Sequence, residues 1–414
     1  MDTDEITLVH PGFPKPKNVR LWVDGGWLRR ESRTGAAGTP RQSGKDHGSP
    51  DAARCALAKE GSKRMHDGFV LLRDPAEVAF GEPVLICAAP NRCSSAALDL
   101  HPEGHTVVVG TTFQRADGAE IHLIDVRTGI RQLVHTEPPG TRQTFLHTVR
   151  FDADGRGVVY ALNGHTRYLD LDTGTSRALA SYEEGRTANF NPFRVQPSWD
   201  RARSRLLVFD TGDRVRVLDD SGEPLLDLDV TLRPSCRAGA LSPSGRLLAL
   251  AFDMHDIEVW DVDSGRRVHR HPFPFPFDRS PAGCGVGSLG FDPTERYLIA
   301  NGGYAEGPCL MALDTGRLAW AVPDPSRTDR WGTCYGWSFS PDGFQLAAGD
   351  RGTVCLRDAA TGAKAPVQPF RTGTGRTHRV VFSDSGELLA CGGDSGSIVV
   401  LRAGGGPRAV QALS

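Results

Sequence analysis

The sequence predicts an all-β protein, a seven-bladed β-propeller of four-stranded antiparallel blades. Three observations support this prediction: a unit of turns and apolar segments that recurs from residue 97 onward, glycines at a nearly constant spacing, and apolar runs too short for helices. The run "RLLALAF", for example, follows the turn Ser242–Gly245 and is bounded by polar turn residues. Runs of about 4–8 apolar residues between Gly, Pro and Asp favour buried strands.

The glycines give the period of the repeat. Each closes a polar turn, often of the Asp-x-x-Thr-Gly kind, and successive glycines are 45, 48, 43, 51 and 46 residues apart: Gly129, Gly174, Gly222, Gly265, Gly316 and Gly362. The spacing is close to the roughly 40–45 residues of a four-stranded propeller blade. Glycine at this place allows the positive φ that tight turns between strands require.

Seven units follow from this period, with first strands expected near residues 97, 147, 195, 236, 286, 334 and 378. The third unit lacks a Pro-Asp-Gly turn and has Asp200-Arg201-Ala202-Arg203-Ser204 instead. The last unit contains a candidate fourth strand of its own at Pro407–Leu413. An eight-bladed ring, with one blade formed partly by the N-terminal segment, is the alternative.

The units resemble WD40 repeats, of a divergent bacterial type. Trp260-Asp261 is the one literal Trp-Asp pair at the end of a third strand, and other units place Ile124-Asp125, Leu313-Asp314 or Arg357-Asp358 there. The resemblance covers about three quarters of the chain and implies a propeller. The family's Gly-His pair is absent, so its buried Asp–His–Ser/Thr–Trp network is expected to be largely missing. "LDTGRLAWAV" also resembles repeats of pyrroloquinoline-quinone propellers.

Two regions are expected, residues 1–65 and a propeller over 66–414. Residues 31–65 are rich in small and charged residues, so we expect the N-terminal segment to be largely flexible. Asn18–Arg30 looks like a hairpin, and Gly68–Ala89 has strand-like character. One or both could close the ring by pairing with the last blade, since an unpaired blade edge favours aggregation.

Composition narrows the function classes. The net charge of −2 gives no overall attraction to nucleic acid or membranes. The acidic N-terminus lacks signal-peptide features and no run reaches about 18 apolar residues, which indicates a cytoplasmic protein. The nine cysteines are scattered without any C-x-x-C, which argues against disulfides and zinc modules. We therefore expect neither a cofactor nor a metal.

The candidate partner-binding surface is the set of loops that precede the first strands, which we call the loop rim. These loops combine arginines with aromatic residues, a composition typical of interface hot spots and suited to carboxylates. The predicted binding residues are Arg142, Phe190, Phe193, Arg194, Arg233, Phe277, Arg279, Arg330, Trp331 and Arg376. Cys93, Cys236, Cys284 and Cys334 lie nearby in the sequence and are expected to be buried, inert thiols.

The sequence therefore predicts a scaffold that binds a protein or peptide partner, with no catalytic residues. The chain contains no G-x-S-x-G, H-E-x-x-H or P-loop motif. Two alternatives stay open, a propeller enzyme of the quinoprotein or lactonase-like class and a sensor domain that works with a separate effector. The fold does not decide between them, because propellers serve all three purposes.

Overall fold

The computed structural model is mostly β-structure. It describes residues 4–12, 15–35, 37–89, 94–112, 118–138, 146–162, 165–181, 197–210, 213–230, 236–252, 256–272, 286–302, 306–323, 336–350, 352–366, 377–393 and 396–404. Within these ranges the chain forms eight antiparallel sheets and one α-helix. Two compact units are distinguished, residues 1–138, 349–355 and 367–407 in the first, and residues 139–348, 356–366 and 408–414 in the second.

An N-terminal sheet and a helix precede the repeats. The sheet has the order β1-β2-β3-β4 and the helix α1 follows it, with these bounds: β1 Glu5–His10, β2 Lys17–Asp24, β3 Trp27–Thr34, β4 Arg41–Asp46 and α1 Pro50–His66. Ser49 caps the helix, since its Oγ accepts a hydrogen bond from the Ala52 N–H at 3.2 Å. None of the helices in the described ranges is both long and apolar enough to cross a membrane.

The helix covers one face of the N-terminal sheet. Ile6 lies opposite Leu21, and Leu8 lies opposite Val19, so the four side chains share a face, and all four are buried. From the helix, Ala53, Leu57 and Gly61 are buried. A Cβ on Gly61 would lie 3.9 Å from Ile6 Cδ1, which places this side of α1 against the face.

The structure differs here from the sequence-based expectation of a largely flexible segment. Residues 31–65 belong to β3, β4 and α1. Asn18–Arg30 does form a hairpin, but its strands β2 and β3 pair with β1 and β4 and not with the last repeat. Composition misleads here because the apolar residues that hold the segment together are spread between residues 6 and 61, outside any short window.

The last repeat is completed by an N-terminal strand. Its sheet, sheet 7, has the order β30-β31-β32-β6-β5, with the bounds β5 Leu71–Leu72, β6 Pro83–Ala88, β30 Thr377–Phe382, β31 Leu388–Gly393 and β32 Ser397–Arg402. Residues 68–89 thus provide the strand that pairs with the last repeat. The sequence offers this segment and Asn18–Arg30 as the two candidates. The place beside β32 that we expected Pro407–Leu413 to fill is taken by β6, and those residues lie outside the described ranges.

Sheet 7 continues into the N-terminal sheet. Val9 and Val70 form an antiparallel bridge in which Val9 N–H donates to Val70 O at 2.8 Å and Val70 N–H donates to Val9 O at 2.7 Å. The N-terminal sheet therefore extends the edge that β6 and β5 add to the last repeat.

Six further sheets contain the repeats between residues 94 and 358. Sheet 1 contains β7 Ser94–Leu100, β8 Thr106–Thr112, β9 Ala119–Asp125 and β10 Arg131–Glu137; sheet 2 contains β11 Leu146–Phe151, β12 Gly157–Leu162, β13 His165–Asp170 and β14 Ser176–Ser181. Sheet 3 contains β15 Ser198–Trp199, β16 Leu206–Asp210, β17 Arg214–Leu218 and β18 Pro224–Asp229; sheet 4 contains β19 Cys236–Leu241, β20 Leu247–Phe252, β21 Asp256–Asp261 and β22 Arg266–Pro272. Sheet 5 contains β23 Val286–Phe291, β24 Tyr297–Gly302, β25 Glu306–Ala312 and β26 Leu318–Pro323; sheet 6 contains β27 Trp337–Phe339, β28 Gln345–Asp350 and β29 Thr353–Asp358.

The repeat predicted from the sequence is present in all seven sheets. Their first strands begin at residues 94, 146, 198, 236, 286, 337 and 377, within a few residues of the expected positions. The turn after each first strand places one residue at positive φ: Gly104, Gly155, Arg203, Gly245, Glu295, Gly343 and Gly386. Arg203 (φ 56°) adopts this conformation in the irregular third unit, so the turn survives there without glycine. The division into seven blades stays a prediction.

The six period glycines also have positive φ, between 65° and 91°. Near two of them, side chains of one sheet of the second unit contact backbone carbonyls of the next sheet. His271 Nε2 of sheet 4 lies 2.6 Å from the Leu313 carbonyl oxygen beside Gly316, and Trp320 Nε1 of sheet 5 donates to the Ala359 carbonyl at 3.0 Å beside Gly362. In both cases a side chain of a fourth strand thus contacts the corresponding carbonyl of the next sheet. Trp260 Nε1 is buried without a hydrogen-bond partner among the described residues.

Candidate functional site

The connections between successive sheets are the predicted binding surface. In each of sheets 1 to 5 the first strand begins, and the fourth strand ends, at the end where the second and third strands are joined. We call this the loop end, and the opposite end the turn end. Every predicted binding residue falls in such a connection; all ten lie outside the described ranges: Arg142, Phe190, Phe193, Arg194, Arg233, Phe277, Arg279, Arg330, Trp331 and Arg376.

The strand ends that flank two of these connections are described, and side chains tie them to the sheets. Ser181, the last residue of β14, donates its N–H to Asp210 Oδ1 at 3.1 Å, and its Oγ lies 2.8 Å from His165 Nδ1. Val230, just after β18, donates its N–H to the Asp213 carbonyl at 2.9 Å. The starting points of connections 182–197 and 230–235 are therefore held at the loop end of sheet 3.

A charge network surrounds these attachment points. Arg214 Nε donates to Asp227 Oδ1 at 2.7 Å, and Arg216 Nε donates to Asp227 Oδ2 at 3.2 Å. Arg216 also pairs with Asp210. The hydrogen bond from Arg214 lowers the pKa of Asp227 below its ordinary value. Two guanidinium groups balance two carboxylates, so the network fixes the strand ends without concentrating charge of one sign.

Sheet 1 has one pair of histidine and glutamate on its third strand and another on its fourth. On β9, His122 Nε2 lies 2.8 Å from Glu120 Oε2, and on β10, His135 Nε2 lies 3.1 Å from Glu137 Oε1. His122 is buried. Burial lowers the pKa of His122 from its ordinary value, and this effect outweighs the hydrogen bond to the Glu120 carboxylate, which raises it. His122 is therefore neutral in the folded protein at neutral pH.

Acidification is expected to destabilise the protein through His122. A histidine with a lowered folded-state pKa takes up its proton more readily in the unfolded chain, so the free energy of unfolding falls as pH drops below the unfolded value of about 6.5. Urea unfolding at pH 7.5, 6.5 and 5.5 measures this slope. The slope should be shallower in His122→Gln and unchanged in His165→Gln, whose side chain is exposed. A His122→Gln slope equal to that of the wild type would contradict the assignment.

The predicted inert thiols are described in part. Burial raises the pKa of Cys236 to about 12, and it does the same for Cys87 and Cys391. Such thiols hold little thiolate at neutral pH and neither react nor bind metals readily. The predicted burial of Cys236 is confirmed; Cys93, Cys284 and Cys334 lie outside the described ranges.

One cluster was not predicted from the sequence. Among the described residues, His101, Glu103 and His105 form the one group of His, Cys, Asp or Glu side chains close enough together to hold a metal ion. The sequence shows His101-Pro102-Glu103-Gly104 as a turn, and the H-x-E-x-H spacing across it was the available signal. The group lies at the turn end of sheet 1, away from the loop rim.

Comparison with known proteins identifies the fold. No protein-family model matches the sequence, and no curated protein matches it significantly. A chain in the crystal structure of the mitotic checkpoint complex is structurally similar, with a TM-score of 0.58 and 15% sequence identity over 80% of this chain and 94% of that one. The fold is a β-propeller. At this identity the similarity establishes the fold alone, which agrees with the antiparallel sheets and their turns.

Proposed function

We propose that the chain is an interaction scaffold that binds a protein or peptide partner through the loop rim, without catalysis. The observation that supports this most directly is that the bounds of the strands leave all ten predicted binding residues, in sequence, between the strands of successive sheets. Such connections tolerate sequence change and provide binding residues on a rigid framework of strands. We also infer that the seven repeat sheets are seven blades and that the N-terminal sheet lies outside them.

The rigid strands that carry the loops also support this function. The attachments at Ser181 and Val230 hold the starts of the two connections that contain Phe193, Arg194 and Arg233. Fixed loop bases reduce the conformational entropy that binding would otherwise cost. Arginine and aromatic side chains on such loops suit a partner segment with carboxylates and apolar groups, since guanidinium binds carboxylate in bidentate fashion.

Affinity capture from the native cell tests the proposal. We expect the triple variant Phe193→Ala, Arg194→Ala, Trp331→Ala to recover its partner at least about tenfold less well, because interface hot spots of these types contribute about 2 kcal/mol or more each. The matched control is Arg266→Ala, Phe344→Ala, Trp27→Ala, which removes the same residue types from exposed positions elsewhere. Recovery by the rim variant that equals recovery by the control would reject the loop rim as the binding surface.

A further inference from the structure

The turn between β7 and β8 brings three metal-ligating side chains together. His101 N–H donates to Thr106 O at 2.8 Å, and Gly104 N–H donates to His101 O at 2.7 Å, with Gly104 at φ 76°. These hydrogen bonds close a tight hairpin turn, so His101 and His105 lie on its two sides with Glu103 between them. The positions of the three side chains are therefore set by the sheet's own hydrogen bonding.

The distances suit a single ion. The imidazole rings of His101 and His105 have centroids 4.3 Å apart, and His105 Nδ1 lies 3.3 Å from Glu103 Oε2. One ligand atom from each of the three residues lies within 4.8 Å of the other two. Tetrahedral coordination with bonds of about 2.1 Å puts ligand atoms about 3.4 Å apart, so small side-chain rotations would complete the geometry.

We propose that His101, Glu103 and His105 bind a divalent transition-metal cation of the zinc class. Two imidazole nitrogens and one carboxylate oxygen match the ligand preference of Zn²⁺, Co²⁺ and Ni²⁺, whereas Ca²⁺ and Mg²⁺ prefer oxygen alone. Three protein ligands leave one coordination position for water or another ligand. The site goes beyond the proposed scaffold function, because it lies at the turn end of sheet 1.

A cavity and an arginine side chain lie beside the site, and the charge of the arginine affects cation binding. Glu103 and His105 line a cavity of about 330 Å³, whose wall also contains Pro75, Val126, Arg127 and Leu388. The Glu103 N–H donates to His101 Nδ1 at 3.1 Å, and a bound cation would replace this contact. Arg127 is a fixed positive charge beside the site, so it weakens cation binding, and its removal strengthens it.

Zinc binding to the full-length protein, measured by competition with a chromophoric chelator, tests the proposal. We expect the wild type to bind one more equivalent than His101→Ala/His105→Ala, and Glu103→Gln to bind at least about tenfold more weakly. The control His66→Ala/His165→Ala removes two exposed histidines elsewhere and should bind like the wild type. Arg127→Gln should bind more tightly than the wild type. Circular dichroism in EDTA checks that each variant is folded.

Cobalt separates this site from binding by cysteines. Thiolate ligands give Co²⁺ intense near-ultraviolet charge-transfer bands, which a site of nitrogen and oxygen ligands lacks. We expect d–d bands without thiolate bands, and we expect these bands to be lost in His101→Ala/His105→Ala. Equal zinc stoichiometry in the folded double variant and the wild type, or thiolate bands for the tight equivalent, would overturn the proposal.

Discussion

Replacing Gly290 with alanine is expected to lower the free energy of unfolding by about 1–3 kcal/mol or more, the cost of inserting a methyl group into a packed core. Gly290 lies on β23, and a Cβ built there overlaps the indole of Trp337 on β27. Trp337 cannot easily move away, because its Nε1 donates to Ser288 Oγ at 2.9 Å. The effect is steric, since Gly290 does not have positive φ.

A double-mutant cycle tests the cause. In a Trp337→Leu background, Gly290→Ala should cost much less, because the smaller side chain leaves room for the methyl group, and neighbouring pairs of this kind couple strongly. Gly61→Ala is a control of opposite sign: it adds a methyl group within α1 at ordinary contact distance from Ile6 and should stabilise by about 0.5–1 kcal/mol. Urea unfolding measures all four variants. An equal cost of Gly290→Ala in both backgrounds would show that Trp337 is not the reason.

The repeats could be predicted because their signals are local. A turn residue such as Gly245 and the apolar strand that follows it lie within about ten residues of each other, so strand positions can be read from short windows. In the third repeat, residue identity does not predict the turn conformation. Arg203 adopts the positive φ that glycine has in most repeats, and its guanidinium donates to the Phe151 carbonyl at 3.1 Å. The conformation is retained although the sequence signal is lost.

The N-terminal region could not be predicted in the same way. Residues 31–65 contain few large apolar groups, and β4 is exposed along its whole length. Their order depends on the buried side of α1, where Gly61 meets Ile6, which lies more than 50 residues earlier in the sequence. Local composition does not report such pairings, because each segment buries its apolar face only when the other is present.

The two candidate sites also differ in how far the sequence predicts them. The arginine and aromatic residues of the loop rim could be located in the sequence because the first strands could, but their arrangement is a property of loops and stays a prediction. The His101, Glu103 and His105 cluster depends on a hairpin turn folding three side chains to one place. An i, i+2, i+4 spacing on a regular strand would instead separate the outer two residues by about 13 Å.

The closing strand is expected to be as important for stability as any central strand. Leu85 lies on β6, opposite Val400 on β32 and Leu72 on β5, and is fully buried. Its cluster includes Ile398 and Val400 from the far end of the chain. Since β6 and β32 are about 300 residues apart in sequence, this contact joins the two ends of the fold.

Leu85→Ala should therefore cost about 2–5 kcal/mol, the usual price of truncating a buried leucine. Leu85→Asp places an unpaired charge between β32 and β5 and should leave little soluble, folded protein. The matched control is Leu133→Asp on β10, where the side chain is 50% exposed and the change should stay within about 0.5 kcal/mol. Soluble yield, circular dichroism and urea unfolding distinguish these outcomes. Folding of Leu85→Asp with the stability of Leu133→Asp would show that the sheet does not need β6 to close it.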